Sequence, residues 1–131
     1  MRILIIEPGR RPKEQEIDGT VNEMREIVGG GLQATYLSSD IALVFNVDAN
    51  VLKLPPNRGV LDEDGAFLDI VCGTFFICGA PEDSNYFTSL TAEQVQRYAE
   101  TFASPEVFLH LGGRTIILPC AEIMKEEDNE S

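Results

Sequence analysis

Short apolar runs, broken every few residues by turn-forming residues, most constrain what this chain folds into. Arg2 to Ile6 is predicted to be a buried strand, because the run is short, branched and apolar. Pro8-Gly9 then turns the chain, and Lys13 to Ile17 is expected to return as a mostly polar edge strand. Leu32 to Leu37 and Ile41 to Val47 predict two more strands around a short turn. Strands joined by such short turns pair antiparallel.

Two segments carry helical spacing instead, over about residues 20–28 and 91–103. Thr20 precedes the first helix and has Glu23 three residues later, the capping-box pattern in which each side chain bonds a free backbone N–H. Thr91 and Gln94 repeat that pattern at the start of the second helix. Both segments place their apolar residues on one stripe, so we expect both helices to pack on the sheet.

The middle of the chain is harder to assign. Val51 to Leu54 is predicted to be a short strand. Residues 55–66 begin with two prolines, which lack a backbone N–H, and are predicted to form the longest loop of the chain. Strand character resumes over Phe67 to Ile77, with Gly73 as a point where this strand can bend.

A hairpin and a charged tail complete the chain. Val107 to Leu111 and Thr115 to Leu118 flank two glycines, as the strands of a tight hairpin do. The whole pattern predicts an α+β fold, with a mainly antiparallel mixed sheet and two amphipathic helices packed on it. Residues 1–121 are expected to form a single globular domain, and residues 122–131 an acidic, disordered tail.

Charge and length limit the classes of function. The 131 residues carry a net charge of −12, and residues 122–131 contribute five acids and one lysine. Because such a field repels phosphate backbones, direct nucleic-acid binding is not expected. No apolar run reaches the ~18–20 residues that cross a bilayer, so we expect a cytoplasmic protein without a membrane partner. The acidity is read as solvated surface charge, with imitation of a nucleic acid as the alternative.

The uncharged stretch CGTFFICG, residues 72–79, raises the question of a redox or metal site. A closed zinc site needs four ligands, and Cys72, Cys78, Cys120 and His110 lack the paired spacing of such sites. In one continuous strand, Cys72 and Cys78 would lie roughly 20 Å apart, too far for a disulfide. We therefore expect reduced, buried strand cysteines, with neither a metal nor a cofactor. His110 is expected to be a hydrogen-bonded structural residue, with a catalytic base as the alternative.

The segment LPPNRGV, residues 54–60, is the best candidate for recognition. Asn57 and Arg58 follow a rigid pair of prolines, and the planar guanidinium suits a carboxylate or a phosphate. Two interpretations are open: Arg58 pairs with a neighbouring aspartate, or the loop is exposed and binds a small anion or a protein. Thr74 would add a hydroxyl if the chain bends at Gly73. Asn57, Arg58 and Thr74 are thus the candidate ligand- or partner-binding residues, and no catalytic residue is predicted.

A family resemblance accompanies these motifs. In order, EPG, IDGT, VGG, LPPNR, CGTFFICG and FTSLTAEQVQRY make residues 2–103 resemble domain-of-unknown-function family 3846. The resemblance implies a small accessory protein encoded by a phage, plasmid or conjugative element. Because the family has no established activity, the resemblance supplies no catalytic residues. Residues 104–131 lie outside the resembling motifs.

Three hypotheses of function follow. The favoured one is a noncatalytic protein that binds and modulates a host factor, through an acidic or apolar surface patch. The second is a binding or sequestering protein for a small anion such as a nucleotide or metabolite, held by Arg58. The third is an enzyme with an unfamiliar site, which requires a cleft with perturbed ionisable groups. A homo-oligomer is also expected to be accessible, because an exposed edge strand can pair with a copy of itself.

Overall fold

A computed structural model describes residues 1–120, which form nine strands and two helices. Neither helix is long and apolar enough to cross a bilayer. The predicted tail, residues 122–131, lies outside the described residues. The elements in chain order are β1 (Arg2–Ile6), β2 (Lys13–Glu16), α1 (Val21–Val28), β3 (Leu32–Ser38), β4 (Ile41–Asn46), β5 (Pro56–Leu61), β6 (Phe67–Cys72), β7 (Phe75–Gly79), α2 (Ala92–Thr101), β8 (Glu106–Leu111) and β9 (Arg114–Pro119).

A five-stranded sheet organises the fold, in the order β2-β1-β7-β4-β3, and every neighbouring pair is antiparallel. The hairpins β5-β6 and β8-β9 form two further two-stranded sheets. With two helices beside a mostly antiparallel sheet, the predicted α+β class is confirmed. Strand β7 comes late in the chain yet lies at the centre, between β1 and β4, so the sheet cannot be completed before the chain has reached residue 79.

Both faces of the sheet are covered, which explains why β7 is apolar throughout. Phe75 and Ile77 point to the face that β5 and α2 cover, where they join Tyr98 and Phe102 of the α2 region. The ring centroids of Phe75 and Phe102 are 5.5 Å apart in an edge-to-face arrangement. On the opposite face, which α1 covers, the core members include Phe76, Cys78, Met24 and Val28.

The two predicted helices are confirmed, with one difference in the caps. Around α2, Thr91 and Gln94 form the complete reciprocal capping box. Before α1, the Thr20 hydroxyl accepts from the Glu23 N–H, but the Glu23 carboxylate accepts from Gly19 N–H at 3.0 Å instead of from Thr20. In the capping box of α1, the backbone donor to the Glu23 carboxylate is thus shifted by one residue, from Thr20 to Gly19. The chain turns before Thr20, so the Gly19 N–H faces the carboxylate.

Two predictions for the middle of the chain are wrong. Residues 51–53 form a turn and Leu54 lies in irregular structure, so the predicted strand at 51–54 is absent from the described chain. The predicted loop at 55–66 instead contains β5, which begins at Pro56. A proline is tolerated at the first position of a strand in a two-stranded sheet, and the pairing register shifts between Pro56 and Arg58. Gly73, with φ of +76°, separates β6 from β7, so residues 67–77 belong to two different sheets.

Candidate interaction surfaces

Asn57 and Arg58 lie inside the protein on β5, and each is only 1% exposed. The Asn57 amide donates from Nδ2 to the carbonyl oxygens of Ile6 and Gly73, each 2.9 Å away. These bonds join β5 to the end of β1 and to the bend between β6 and β7. Because an unpartnered buried amide is costly, such satisfied bonds stabilise the junction of these segments.

The guanidinium of Arg58 has hydrogen bonds for all five of its N–H groups. Nε and Nη2 donate to the carbonyl oxygen of Phe102 at 3.3 and 3.0 Å, and Nη2 also donates to that of Arg10 at 2.6 Å. Nη1 donates to the backbone and side-chain oxygens of Asn57 at 3.2 and 2.8 Å. Arginine carries five N–H donors, so an external anion would have to displace a bond within the fold.

The electrostatic surroundings at the end of α2 favour the positive charge of the Arg58 guanidinium. Phe102 caps the C-terminus of α2, where unpaired carbonyl groups carry partial negative charge that favours a cation. Burial lowers the pKa of Arg58, and the negative charge of Glu106 raises it in part. Arginine nevertheless stays protonated in proteins. Glu106 is itself held in place, since its Oε1 accepts from the backbone N–H of Gly59 at 2.8 Å.

These contacts match neither of the two interpretations left open for Arg58 in residues 54–60, pairing with an aspartate or an exposed recognition loop. Arg58 bonds carbonyl oxygens instead of an aspartate carboxylate, and neither Asn57 nor Arg58 is exposed. Thr74 is half-buried directly after Gly73, so the structure does bring the three predicted residues to one bend. A ligand or partner role for Asn57, Arg58 and Thr74 stays a prediction, while their bonds favour a structural role.

The three cysteines are free thiols in different surroundings. Cys78 is fully buried on β7, as predicted, and burial raises its pKa to about 12. Cys72 is only half-buried at the end of β6, and burial, followed by the negative charge of Asp69, raises its pKa. Because the thiolate is the reactive form, both shifts disfavour nucleophilic chemistry. The prediction of a buried strand cysteine is therefore wrong for Cys72, and Cys120, for which burial was not predicted, is also half-buried.

His110 lies on β8 as an exposed side chain. Its Nδ1 is 3.4 Å from the hydroxyl of Thr115, its pairing partner on β9. The cysteines lie on other segments: Cys72 at the end of β6, Cys78 on β7, and Cys120 directly after β9. Within residues 1–120, the His, Cys, Asp and Glu side chains form no group of three suited to hold a metal ion.

The β8-β9 hairpin carries an exposed apolar surface. Its register places Val107 opposite Leu118 and Leu109 opposite Ile116, and alternation puts Leu111 on the same side. Val107, Leu109, Leu111 and Leu118 are 39–58% exposed, and Ile116 is half-buried. We call these five side chains the hairpin face. The other side of the hairpin packs towards β5, where Ile117 lies beside Gly59 and Glu106 bonds the Gly59 N–H.

Acidic residues line a shallow groove on another part of the surface. Asp62, Glu63, Asp64 and Glu82 border this groove together with residues 36–39 at the end of β3. We call it the acidic groove. Asp62 and Glu63 also border a neighbouring cavity of about 330 Å³, which the exposed Arg97 of α2 lines as well. Four carboxylates therefore lie close together along this groove.

A cavity of about 370 Å³ lies between β3-β4 and the β5-β6 hairpin. It has the size of a small-ligand site, and apolar side chains such as Leu43, Phe45 and Val60 form part of its lining. Asp69 contributes the charge in this lining, whereas Arg58 is not among the lining residues. Such a cavity does not match the anion site that the second hypothesis requires.

Sequence reasoning missed the hairpin face, although a signal was present. In EVFLHL, residues 106–111, apolar residues occupy consecutive positions as well as alternate ones, so neither side of the predicted strand is clearly polar. That pattern is typical of a strand covered on both sides. The structure covers only one side, and the other side is the hairpin face.

Comparison with known proteins gives one family. The family described as Domain of unknown function (DUF3846) matches residues 1–103, most of the chain, in agreement with the resemblance in the sequence motifs. No curated protein and no solved structure matches the chain. The hairpin face, on residues 107–118, lies after the part of the chain that the family match covers.

Proposed function

The chain belongs to the family described as Domain of unknown function (DUF3846), and from this premise we propose that it is a noncatalytic protein-binding module. It binds a protein of the host cell and modulates it, as an accessory protein of a phage or another mobile element would. The hairpin face contributes the apolar part of the contact, and the acidic groove contributes the charged part. Asn57 and Arg58 support this function indirectly, by holding together the fold that presents both surfaces.

The observation that carries the proposal is the exposure of the hairpin face. A two-stranded hairpin is marginally stable by itself, yet this one leaves Leu109 and Leu111 about half exposed. It is held to the rest of the fold on its other side, where the Glu106 carboxylate accepts from the backbone N–H of Gly59 on β5. Contiguous exposed apolar side chains on a tethered element are typical of interaction sites.

The distribution of charge supports the same surface. Residues 106–119 carry one acid, Glu106, and one permanent base, Arg114, whereas the whole chain carries −12. A protein partner can therefore approach the hairpin face without the repulsion that the rest of the chain exerts on acidic surfaces. A partner whose basic side chains reach the acidic groove, as a DNA-handling protein would have, gains attraction at the same time. A more specific form of this proposal is that the acidic surface imitates a nucleic acid for a DNA-handling partner.

The experiment compares two double variants in capture of partners from host lysate. Leu109→Ser with Leu118→Ser removes two members of the hairpin face. Val21→Ser with Val51→Ser is the matched control, because these valines are exposed to 53% and 82% elsewhere on the protein. Each recovered protein is then purified and titrated directly against all three forms.

We expect the first double variant to weaken binding at least about tenfold, or ~1.4 kcal/mol, because it truncates two neighbouring side chains at the centre of the proposed contact, where hot spots each cost ~2 kcal/mol or more. The control should bind within about twofold of the wild type. Equal binding by all three forms would reject the hairpin face as the contact, and a turnover reaction on a bound molecule would reject the noncatalytic role.

A further inference from the structure

We propose that β3 pairs with β3 of a second copy of this chain, antiparallel about a twofold axis, so that the two five-stranded sheets become continuous. This inference concerns a different surface from the hairpin face and does not depend on the proposed function. It rests on the contrast between the two edges of the sheet, on the shape of the β3 surface and on the placement of charge.

The two edge strands of the sheet differ in their protection. β2, with the sequence KEQE, carries three charged side chains, and its glutamates form ion pairs with Arg2 and the N-terminal amine. Charged side chains of this kind deter pairing with another chain. β3, with the sequence LQATYLS, carries neither a charge nor a proline over seven residues. Among residues 1–120, β4 is the one strand that pairs with β3, so the outer edge of β3 is open.

The surface beside this edge is self-complementary. Tyr36 is 56% exposed and pairs with Ala42 of β4 in the same chain. Its side chain lies on the same face of the sheet as Ala34. Next to its ring is a hollow of about 210 Å³, which is lined by the small residues Ala34, Ala42 and Ala80 together with Phe87. A projection and a hollow on one strand are what an isologous contact between identical chains requires.

The geometry of antiparallel pairing brings these features together. Opposite residues of antiparallel strands share a face, so a register with Ala34 on the twofold axis places Tyr36 opposite Leu32 of the other copy. The tyrosine is then diagonal to Ala34 of the other copy, within reach of its hollow. The register irregularity between Tyr36 and Ser38 ends the regular stretch, so Leu32–Tyr36 is the segment expected to pair.

Charge placement favours the antiparallel over the parallel arrangement. The acidic groove lies at the C-terminal end of β3, around residues 36–39. Antiparallel pairing puts the acidic grooves of the two copies at opposite ends of the shared strands, roughly 20 Å apart at ~3.3 Å per residue. That separation exceeds the Debye length of ~8 Å at physiological salt, so the grooves repel each other little. A parallel arrangement would place them side by side.

The test is the molar mass of the whole chain over a concentration series, by light scattering or sedimentation. We expect the 14.5 kDa chain to shift towards twice that mass as concentration rises, and the shift to be at least as strong in high salt, which screens the repulsion between two chains of charge −12. Tyr36→Lys should weaken dimer formation at least about tenfold. Val21→Lys, the matched control with the same charge change on α1, should dimerise like the wild type, and circular dichroism checks that both variants fold.

A second measurement fixes the register. In a Cys72→Ser and Cys120→Ser background, Ala34→Cys should form a disulfide-linked dimer under mild oxidation, because a residue on the twofold axis opposes its own copy. Gln33→Cys should not, since in this register it opposes Thr35. The proposal is overturned by a monomer at every concentration, by a Tyr36→Lys form that dimerises like the wild type, or by cross-linking that favours Gln33→Cys. If the double variant Leu109→Ser with Leu118→Ser abolishes the dimer and no other variant does, the second copy lies on the hairpin face instead, and the pairing of β3 is rejected.

Discussion

The guanidinium of Arg58 bonds the carbonyl oxygen of Phe102 through two of its nitrogens, at 3.0 and 3.3 Å. Phe102 caps α2, and Arg58 lies on β5, 44 residues earlier in the chain. This pair therefore fixes the end of a helix to a strand of a separate sheet. The same guanidinium bonds Arg10, so the turn between β1 and β2 is held as well.

Replacing Arg58 should destabilise the whole fold. Arg58→Ala leaves the buried carbonyl of Phe102 and the partly buried carbonyl of Arg10 without their partners, and an unsatisfied buried polar group costs about 1–3 kcal/mol. We expect the free energy of unfolding, measured by denaturant titration, to fall by at least about 3 kcal/mol. In a thermal scan, the far-UV circular dichroism signal of the variant should be reduced at the highest temperatures. Arg25→Ala is the control, because Arg25 is exposed on α1 and a change there should cost only about 0.5 kcal/mol. If the two variants unfold at the same denaturant concentration, Arg58 does not hold the fold together.

The buried thiol of Cys78 should make stability depend on alkaline pH. Its pKa is raised from 9.0 to about 12 in the folded protein, so the native state keeps the proton that the unfolded state loses. The stability that this thiol contributes is therefore complete below pH 9 and decreases as the pH rises towards 12. Unfolding free energies measured across that range should fall more steeply for the wild type than for Cys78→Ala. Other groups that ionise there are common to both proteins, so parallel curves would contradict the assignment.

Thiol labelling should follow the exposure of the cysteines. Ellman's reagent at neutral pH is expected to reach the half-buried Cys72 and Cys120, and Cys78 only when the protein unfolds, because Cys78 is 0% exposed. Mass spectrometry of peptides identifies each labelled site. Cys78→Ala should thus leave the number of thiols that react in the native protein unchanged. Labelling of Cys78 in the native protein, faster than global unfolding, would show that β7 is not enclosed as described.

The bond between Glu106 and Gly59 should hold the hairpin against the sheet. Glu106→Ala removes the carboxylate that accepts from the Gly59 N–H, so the hairpin should open more often. We expect faster amide hydrogen exchange over residues 106–119, at least about tenfold, while β7 exchanges as before. Glu100→Ala on the exposed side of α2 is the control. Uniformly faster exchange over the whole chain would show instead that Glu106 supports global stability.

Local patterns predicted most of the elements but not their assembly. The caps at Thr20 and Thr91 and the branched run at β1 depend on neighbours within a few residues, so they can be read from the chain. Strand β5 was missed because its tolerance of Pro56 comes from its position in a two-stranded sheet, which no local pattern shows. For a similar reason, the contacts of Arg58 match neither interpretation left open for it, pairing with a neighbouring aspartate or recognition in an exposed loop. Its partners at residues 10 and 102 are distant in sequence, and only the folded chain brings their carbonyls together.

The candidate surfaces depend equally on assembly. Alternation of apolar residues predicts that a strand has a buried side, but whether a second side is covered depends on which elements pack there. The exposure of Leu109 and Leu118 follows from the hairpin lying on β5 by one side only.

Photo-cross-linking at the hairpin face tests most directly whether that surface carries the function. A photoreactive amino acid at position 109, in the intact chain expressed in host cells, should link this protein to a particular host protein in high yield. The same amino acid at position 96, which is exposed on α2 and is not part of the hairpin face, should give little of that product. Equal linking at both positions, or none at position 109 above background, would contradict a function carried by the hairpin face.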